Sequence, residues 1–112
     1  MKDTSLRMDY SSYTCPIHKA VTLIGDKWTL FIIREFMYGK EKQGFNDLLS
    51  RLRPISSRTL ALKLKKLRQN QVVQRTIVQE KPLKVHYSLT LWGKQLHPVL
   101  KAIAIWFKRQ ES

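Results

Sequence analysis

The chain has 112 residues, 43% of them apolar, enough for one compact domain and too few for a second. Its formal charge of +13, from 21 lysines and arginines against 8 acids, predicts a surface drawn to nucleic acid or anionic membrane. Cys15 is the single cysteine, which excludes an internal disulfide and a zinc site of repeated cysteines, and no apolar run approaches the ~20 residues of a membrane span.

The charge is also localised. Residues 48–110 hold fourteen basic residues and one acid, Glu80, whereas the first 47 residues hold seven basic residues and six acids. Residues 1–14 are polar, without periodicity and without the apolar centre of a signal peptide, which predicts a flexible N-terminal arm on a cytoplasmic protein. Pro16 suits the first position of a helix, and Ala20, Val21, Leu23 and Ile24 extend its apolar face until Gly25 ends it. Asp26 is a good cap for the next helix, KWTLFIIREFMY, whose apolar residues wrap most of its circumference and place it centrally.

Phe45, Leu48, Leu49 and Leu52 share helical spacing in a third, shorter helix, broken at Pro54 because proline disfavours helical geometry in Arg53. Residues 56–70, SSRTLALKLKKLRQN, then combine an apolar seam with a cationic face that contains no acid. Leu60, Leu64 and Leu67 recur at i, i+4 and i+7 and point inward; Arg58, Leu62, Lys65 and Gln69 fall on the opposite side. Ser56 and Ser57 are the candidate caps. Two readings fit this segment alone: the second member of a helix-turn-helix, or a basic amphipathic helix packed on an ordinary core.

The pattern changes after Asn70. Residues 72–79 and 84–89 are rich in valine, isoleucine, threonine and tyrosine and flank the turn EKPL, which predicts a β-hairpin with Lys81 and Lys84 at its tip. From Thr90, a plausible cap, one helix bent at Pro98 is expected to run to the end, with Leu96, Val99, Leu100, Ile103, Trp106 and Phe107 at helical spacing. A basic hairpin directly after a helix-turn-helix makes a winged helix, whose second helix reads the major groove while the hairpin tip lies along the backbone or an adjacent minor groove. The expected fold class is therefore mainly α with a β-hairpin wing, an α+β winged helix-turn-helix over residues 15–112.

The motifs that follow one another in this order are Cys15-Pro16, GDKWTLFIIREF from Gly25, FNDLLSRLRPISSRTLALKLKKL from Phe45, VVQRTIVQEKPLKVHYSLTLWG from Val72, and LHPVLKAIAIW near the end. In these the chain resembles the HxlR-type transcriptional regulators, a winged-helix group related to the MarR regulators. The resemblance implies a homodimer on a pseudo-palindromic double-stranded operator, with the terminal helix as dimerisation helix. Two positions depart from the family. Gln71 stands where glycine is frequent, so the exit from the recognition helix must use Asn70 or another geometry. Leu62 stands where a polar residue is frequent; it cannot donate a hydrogen bond, but it can touch a thymine methyl.

Ser57, Arg58, Thr59, Leu62 and Lys63 occupy the first two turns of the recognition helix and are the candidates for base contacts. Arg58 leads them, since its fork fits guanine O6 and N7; the plainer alternative is a phosphate or an acid within the protein. Ser56, Lys65, Lys66, Arg75, Lys81 and Lys84 are assigned to phosphates, against simple solvation. Leu96, Leu100, Ile103, Trp106 and Phe107 are the dimer candidates, against an ordinary core.

Cys15 lies at a helix N-terminus one turn before Lys19, a setting expected to raise its reactivity. The resemblance adds that some relatives sense oxidants or electrophiles at the Cys-Pro position, so an oxidant or small-molecule effector is open beside the reading of Cys15 as buried filler. His18, His86 and His97 show no paired metal spacing, and no nucleophile triad, phosphate loop or carboxylate pair stands out, so neither cofactor nor enzymatic activity is expected. The rival classes are a sequence-tolerant architectural or RNA-binding protein and a cysteine redox protein; the latter lacks a resolving thiol.

Overall fold

Pro16 starts α1 (Pro16–Ile24), where its missing N–H is not needed, and Gly25 closes it by donating to the Val21 carbonyl at 2.7 Å. The computed structural model describes residues 9–111; residues 1–8, most of the expected arm, lie outside the described residues, as does Ser112. Residues 10–14 form turns, and Tyr13 meets His18 of α1 edge to face at 5.5 Å. Asp26 caps α2 (Lys27–Tyr38), accepting from the Thr29 amide at 3.1 Å and the Thr29 hydroxyl at 2.6 Å. Thr29, Ile32, Ile33 and Phe36 form the buried stripe of this central helix.

At α3 (Phe45–Arg51), Asp47 accepts from the Gly44 amide at 3.3 Å, a capping contact. The turn containing Pro54 leads to α4 (Ser57–Gln69), where Ser56 accepts from the Thr59 amide at 3.0 Å. Leu60, Leu64 and Leu67 of α4 are buried in one core with Ile32, Ile33 and Phe36 of α2, Leu48 of α3, and Leu52 and Ile55 of the turn that follows it. The helix-turn-helix geometry follows from those two inward stripes.

The α4 exit differs from the glycine-ended form in a specific way. Gln71 itself takes the left-handed conformation, with φ 60, while Asn70 stays at negative φ. The Gln71 amide donates to Arg68 O at 3.0 Å and the Val72 amide to Leu67 O at 2.9 Å, the pair of reversed bonds that ends a helix when the next residue turns left-handed. Val72 and Leu67, both buried, complete the motif with an apolar contact position. A side chain at such a φ is strained, so Gln71→Gly is expected to raise stability by a few tenths to about 1 kcal/mol, the relieved strain being partly offset by greater unfolded-chain entropy. Urea unfolding of the two proteins checks this.

Strands β1 (Val73–Gln79) and β2 (Lys84–Leu89) pair antiparallel from Val73 opposite Leu89 to Ile77 opposite Val85, with a bulge between Ile77 and Gln79. Gln43 adds a one-residue third edge: its amide donates to Tyr87 O at 3.0 Å and its carbonyl accepts from the Tyr87 amide at 2.8 Å. Thr90 caps α5 (Leu91–Lys94) and also donates its hydroxyl to Gln71 O at 2.6 Å, tying this end of the wing to the α4 exit.

The closing segment corrects one expectation. In place of a single helix bent at Pro98, the chain forms α5 and then α6 (His97–Glu111). Pro98 has no N–H for the Lys94 carbonyl, and its ring would clash with that oxygen, so the helix stops and restarts with Pro98 in the first turn. Gln95 and Leu96 bridge the break with shorter-range bonds to Trp92 O and Gly93 O at 3.1 and 3.0 Å. No residue of α6 is buried.

Candidate nucleic-acid interface

The helical spacing that buries three leucines in α4 leaves Ser57, Arg58, Leu62, Lys65 and Gln69 exposed along its outer face. Leu62 is 57% exposed, two residues from Leu64 at 2%. Thr59 is half-buried and shares a hydroxyl contact of 2.9 Å with Ser56, so both serve the cap while lying at the tip of the helix. The outer face carries no carboxylate.

Two of the expected DNA-facing lysines are held by the protein. The Lys63 ammonium lies 3.2 Å from Asp26 Oδ2, and the Lys66 ammonium donates to Thr22 O at 2.7 Å, one of the last carbonyls of α1. These contacts fasten α4 to the α1–α2 corner. Partial burial pushes the Asp26 carboxyl up, but the Thr29 hydroxyl and amide and the Lys63 ammonium outweigh it and hold it below its ordinary value. A depressed carboxyl contributes stability above its unfolded value near 3.8 that is lost as pH falls through the lower folded value. Asp26→Ala is expected to cost about 1 to 2 kcal/mol at neutral pH, mostly through the lost cap, while Asp26→Asn keeps much of the cap. The deficit of Asp26→Asn against wild type should shrink as the pH falls below 3.8, while Asp26→Ala keeps the part due to the lost cap, which acid unfolding followed by circular dichroism measures.

Arg75, Lys81 and Lys84 are exposed on the wing. Two residues outside the predicted set join the basic surface. Arg53 is exposed in the turn before α4; Arg68, with Lys65, Gln69 and Gln74, lines a groove between α4 and β1. Arg68 follows Lys65 by one helical turn, a spacing visible in the sequence. Arg53 carried no periodic signal, because it sits outside both helices.

Cys15 is 2% exposed, beneath a shallow groove lined by Tyr10, Ser12, Tyr13, His18 and Val21. Its backbone amide donates to Ser12 O and its carbonyl accepts from Lys19 N, both at 3.0 Å. Of the dimer candidates, Leu96 and Leu100 are half-buried against the core, whereas Ile103, Trp106 and Phe107 are exposed, together with Val99. Among the described residues no cluster of three or more His, Cys, Asp or Glu is placed to hold a metal, and no helix is long and apolar enough to cross a membrane.

The HxlR-like helix-turn-helix family model matches residues 23–112. The HTH-type transcriptional regulator YdeP of Bacillus subtilis is 33% identical over 115 aligned positions, covering 100% of this chain and 88% of YdeP. The regulator YodB of the same organism is 36% identical over 93 residues, covering 82% of this chain and 81% of YodB. The reduced form of YodB superimposes with a TM-score of 0.72 at 35% identity, over 83% of this chain and 90% of that one, and YodB is also solved after diamide treatment. The redox regulator HypR in its reduced form gives 0.77 at 29% identity, over 87% and 94%, and is also solved oxidised. With its winged helix-turn-helix and a match over most of its length, the chain belongs to the HxlR-like helix-turn-helix family of transcriptional regulators.

Proposed function

We propose that the protein is a homodimeric regulator that binds a pseudo-palindromic duplex sequence-specifically, with the outer face of α4 in the major groove and the wing on the adjacent backbone. The observation that carries this reading is the exposed, acid-free α4 face, continuous through Lys65, Arg68 and Gln74 with the basic wing. Arg58, Leu62 and Ser57 at the leading end read base edges; Lys65, Arg68, Arg75, Lys81 and Lys84 neutralise phosphates. Lys63 and Lys66 act chiefly by fixing the angle of α4 through Asp26 and Thr22. Selection from a randomised duplex pool tests the assignment. A regulator enriches a two-fold motif and prefers it to scrambled duplex by ~10³-fold or more, while a sequence-tolerant architectural or RNA-binding protein enriches none.

Dimerisation is supported by α6, fifteen residues long with none buried, presenting Val99, Ile103 and Trp106 to solvent. A C2 dimer covering this face would set two α4 helices one helical turn apart on the duplex. Sedimentation should give a dimer for the wild type and a monomer for Trp106→Glu, whose added charge cannot be covered without a partner.

Oxidants or electrophiles act through Cys15. Support comes from its place at the α1 N-terminus and from two relatives solved in reduced and in oxidised or diamide-treated forms. As the single cysteine, it forms a disulfide only with another molecule. Diamide should lower operator affinity of the wild type and leave Cys15→Ser unchanged; equal responses would remove Cys15 from the sensing role.

A further inference from the structure

The end of the wing is apolar as well as basic. Glu80, Lys81, Pro82 and Leu83 form the turn, Lys84 opens β2, and all five are exposed, with Leu83 62% accessible; Ile77 and Val78 beside them are about half exposed. Among the described residues, nothing covers these four apolar side chains. Yet the tip is built: the bulge between Ile77 and Gln79 bends the strand, and Gln79 Nε2 donates to Lys81 O at 2.9 Å, closing the turn.

We propose that Pro82 and Leu83 form an apolar wedge that enters the minor groove beside the site read by α4 and partly unstacks a base step there. The proposal rests on the DNA reading above and extends it to a contact made by carbon. The occupant follows from charge. Lys81 and Lys84 flank the wedge, with Arg75 further down the same hairpin, against Glu80 alone, so a second copy of a chain at +13 would bring like charge to the tip, whereas phosphates on both rims of a groove would neutralise it. The minor groove is ~6 Å wide, narrow enough for phosphates of both strands to lie near one turn, and inserted leucine or proline is a recurrent way of kinking duplex at flexible steps. The lysines at positions 81 and 84 hold the rims, and Leu83 between them meets sugars and base faces.

The test uses the full-length protein and the duplex enriched from the randomised pool, with 2-aminopurine placed in turn at each flanking step. Wild type should raise the fluorescence of one step on each side, as unstacking does. Leu83→Ser should abolish that rise and weaken binding by roughly 10-fold or more, with the slope of log affinity against log salt unchanged, because an apolar contact releases no counterions. Lys81→Ala should instead flatten the slope. Both sites are exposed, so thermal unfolding confirms that the variants fold. If Leu83→Ser binds and unstacks as wild type does while Arg58→Ala still loses affinity, the wedge is wrong and the regulator stands. A change in sedimentation of Leu83→Ser with DNA binding intact would assign the tip to a protein contact and likewise overturn it. If no duplex is enriched at all, the regulator reading falls, and the wedge with it.

Discussion

Arg58→Ala is expected to weaken binding to the enriched duplex by roughly 10- to 100-fold while changing binding to scrambled duplex only a few-fold. Arg58 is exposed in the first turn of α4, ahead of the wing and on the same side as Leu62 and Lys65. A guanidinium there offers two parallel donors to guanine O6 and N7, a pairing worth about 1 to 3 kcal/mol of discrimination, whereas on scrambled duplex it contributes one charge among many. Arg58→Lys should recover the charge but not the fork, restoring nonspecific binding more fully than specific binding. Titration of each variant against both duplexes at two salt concentrations separates the two effects. Equal losses on both duplexes would move Arg58 to the phosphate set.

The second large effect is on stability. Leu64→Ala is expected to cost about 2 to 5 kcal/mol, because the side chain is 2% exposed in the core that α4 shares with α2 and α3. Against the 5 to 15 kcal/mol typical of a domain, that loss lowers Tm by roughly 10 °C or more. Leu62→Ala, two residues away on the outer face, should leave Tm within a degree or two, since exposed substitutions rarely exceed ~0.5 kcal/mol. It should act on DNA instead, most where a thymine methyl is replaced by uracil's hydrogen. Paired thermal and binding measurements on these variants resolve the inner from the outer face of one helix.

The contrast between those leucines also explains what the sequence could tell. Periodicity is a local signal, so the buried stripe of Leu60, Leu64 and Leu67, the caps at Asp26, Ser56 and Thr90, and the strands around EKPL were all readable, and they suffice for a winged helix. Contacts between distant segments were not. The pairing of Lys63 with Asp26 and of Lys66 with the Thr22 carbonyl depends on how α4 lies across the α1–α2 corner; helical spacing sets both lysines on one flank, away from the exposed Lys65, but does not name their partners. Gln43 joins the sheet through a single residue, too short for any alternation.

The turn at Gln71 was legible only as a missing glycine; the flanking Val72 and Leu67 contacts decide that the glutamine itself adopts φ 60. Sequence alone predicts a bend at Pro98, but its position four residues after Lys94 and directly after His97 makes it a restart. On α6 the pattern marked one apolar stripe, and only the packing divides it into Leu96 and Leu100, turned to the protomer's own core, and Ile103, Trp106 and Phe107, left in solvent.

Whether the outer face of α4 reads guanines through the major groove is decided by methylation interference on the enriched duplex. N7-methylation should block the wild-type protein at guanines in two patches roughly one helical turn apart, and the Arg58→Ala protein should become indifferent to one guanine in each patch. Interference confined to minor-groove N3 positions, or spread evenly along the duplex, would rule out major-groove reading by α4.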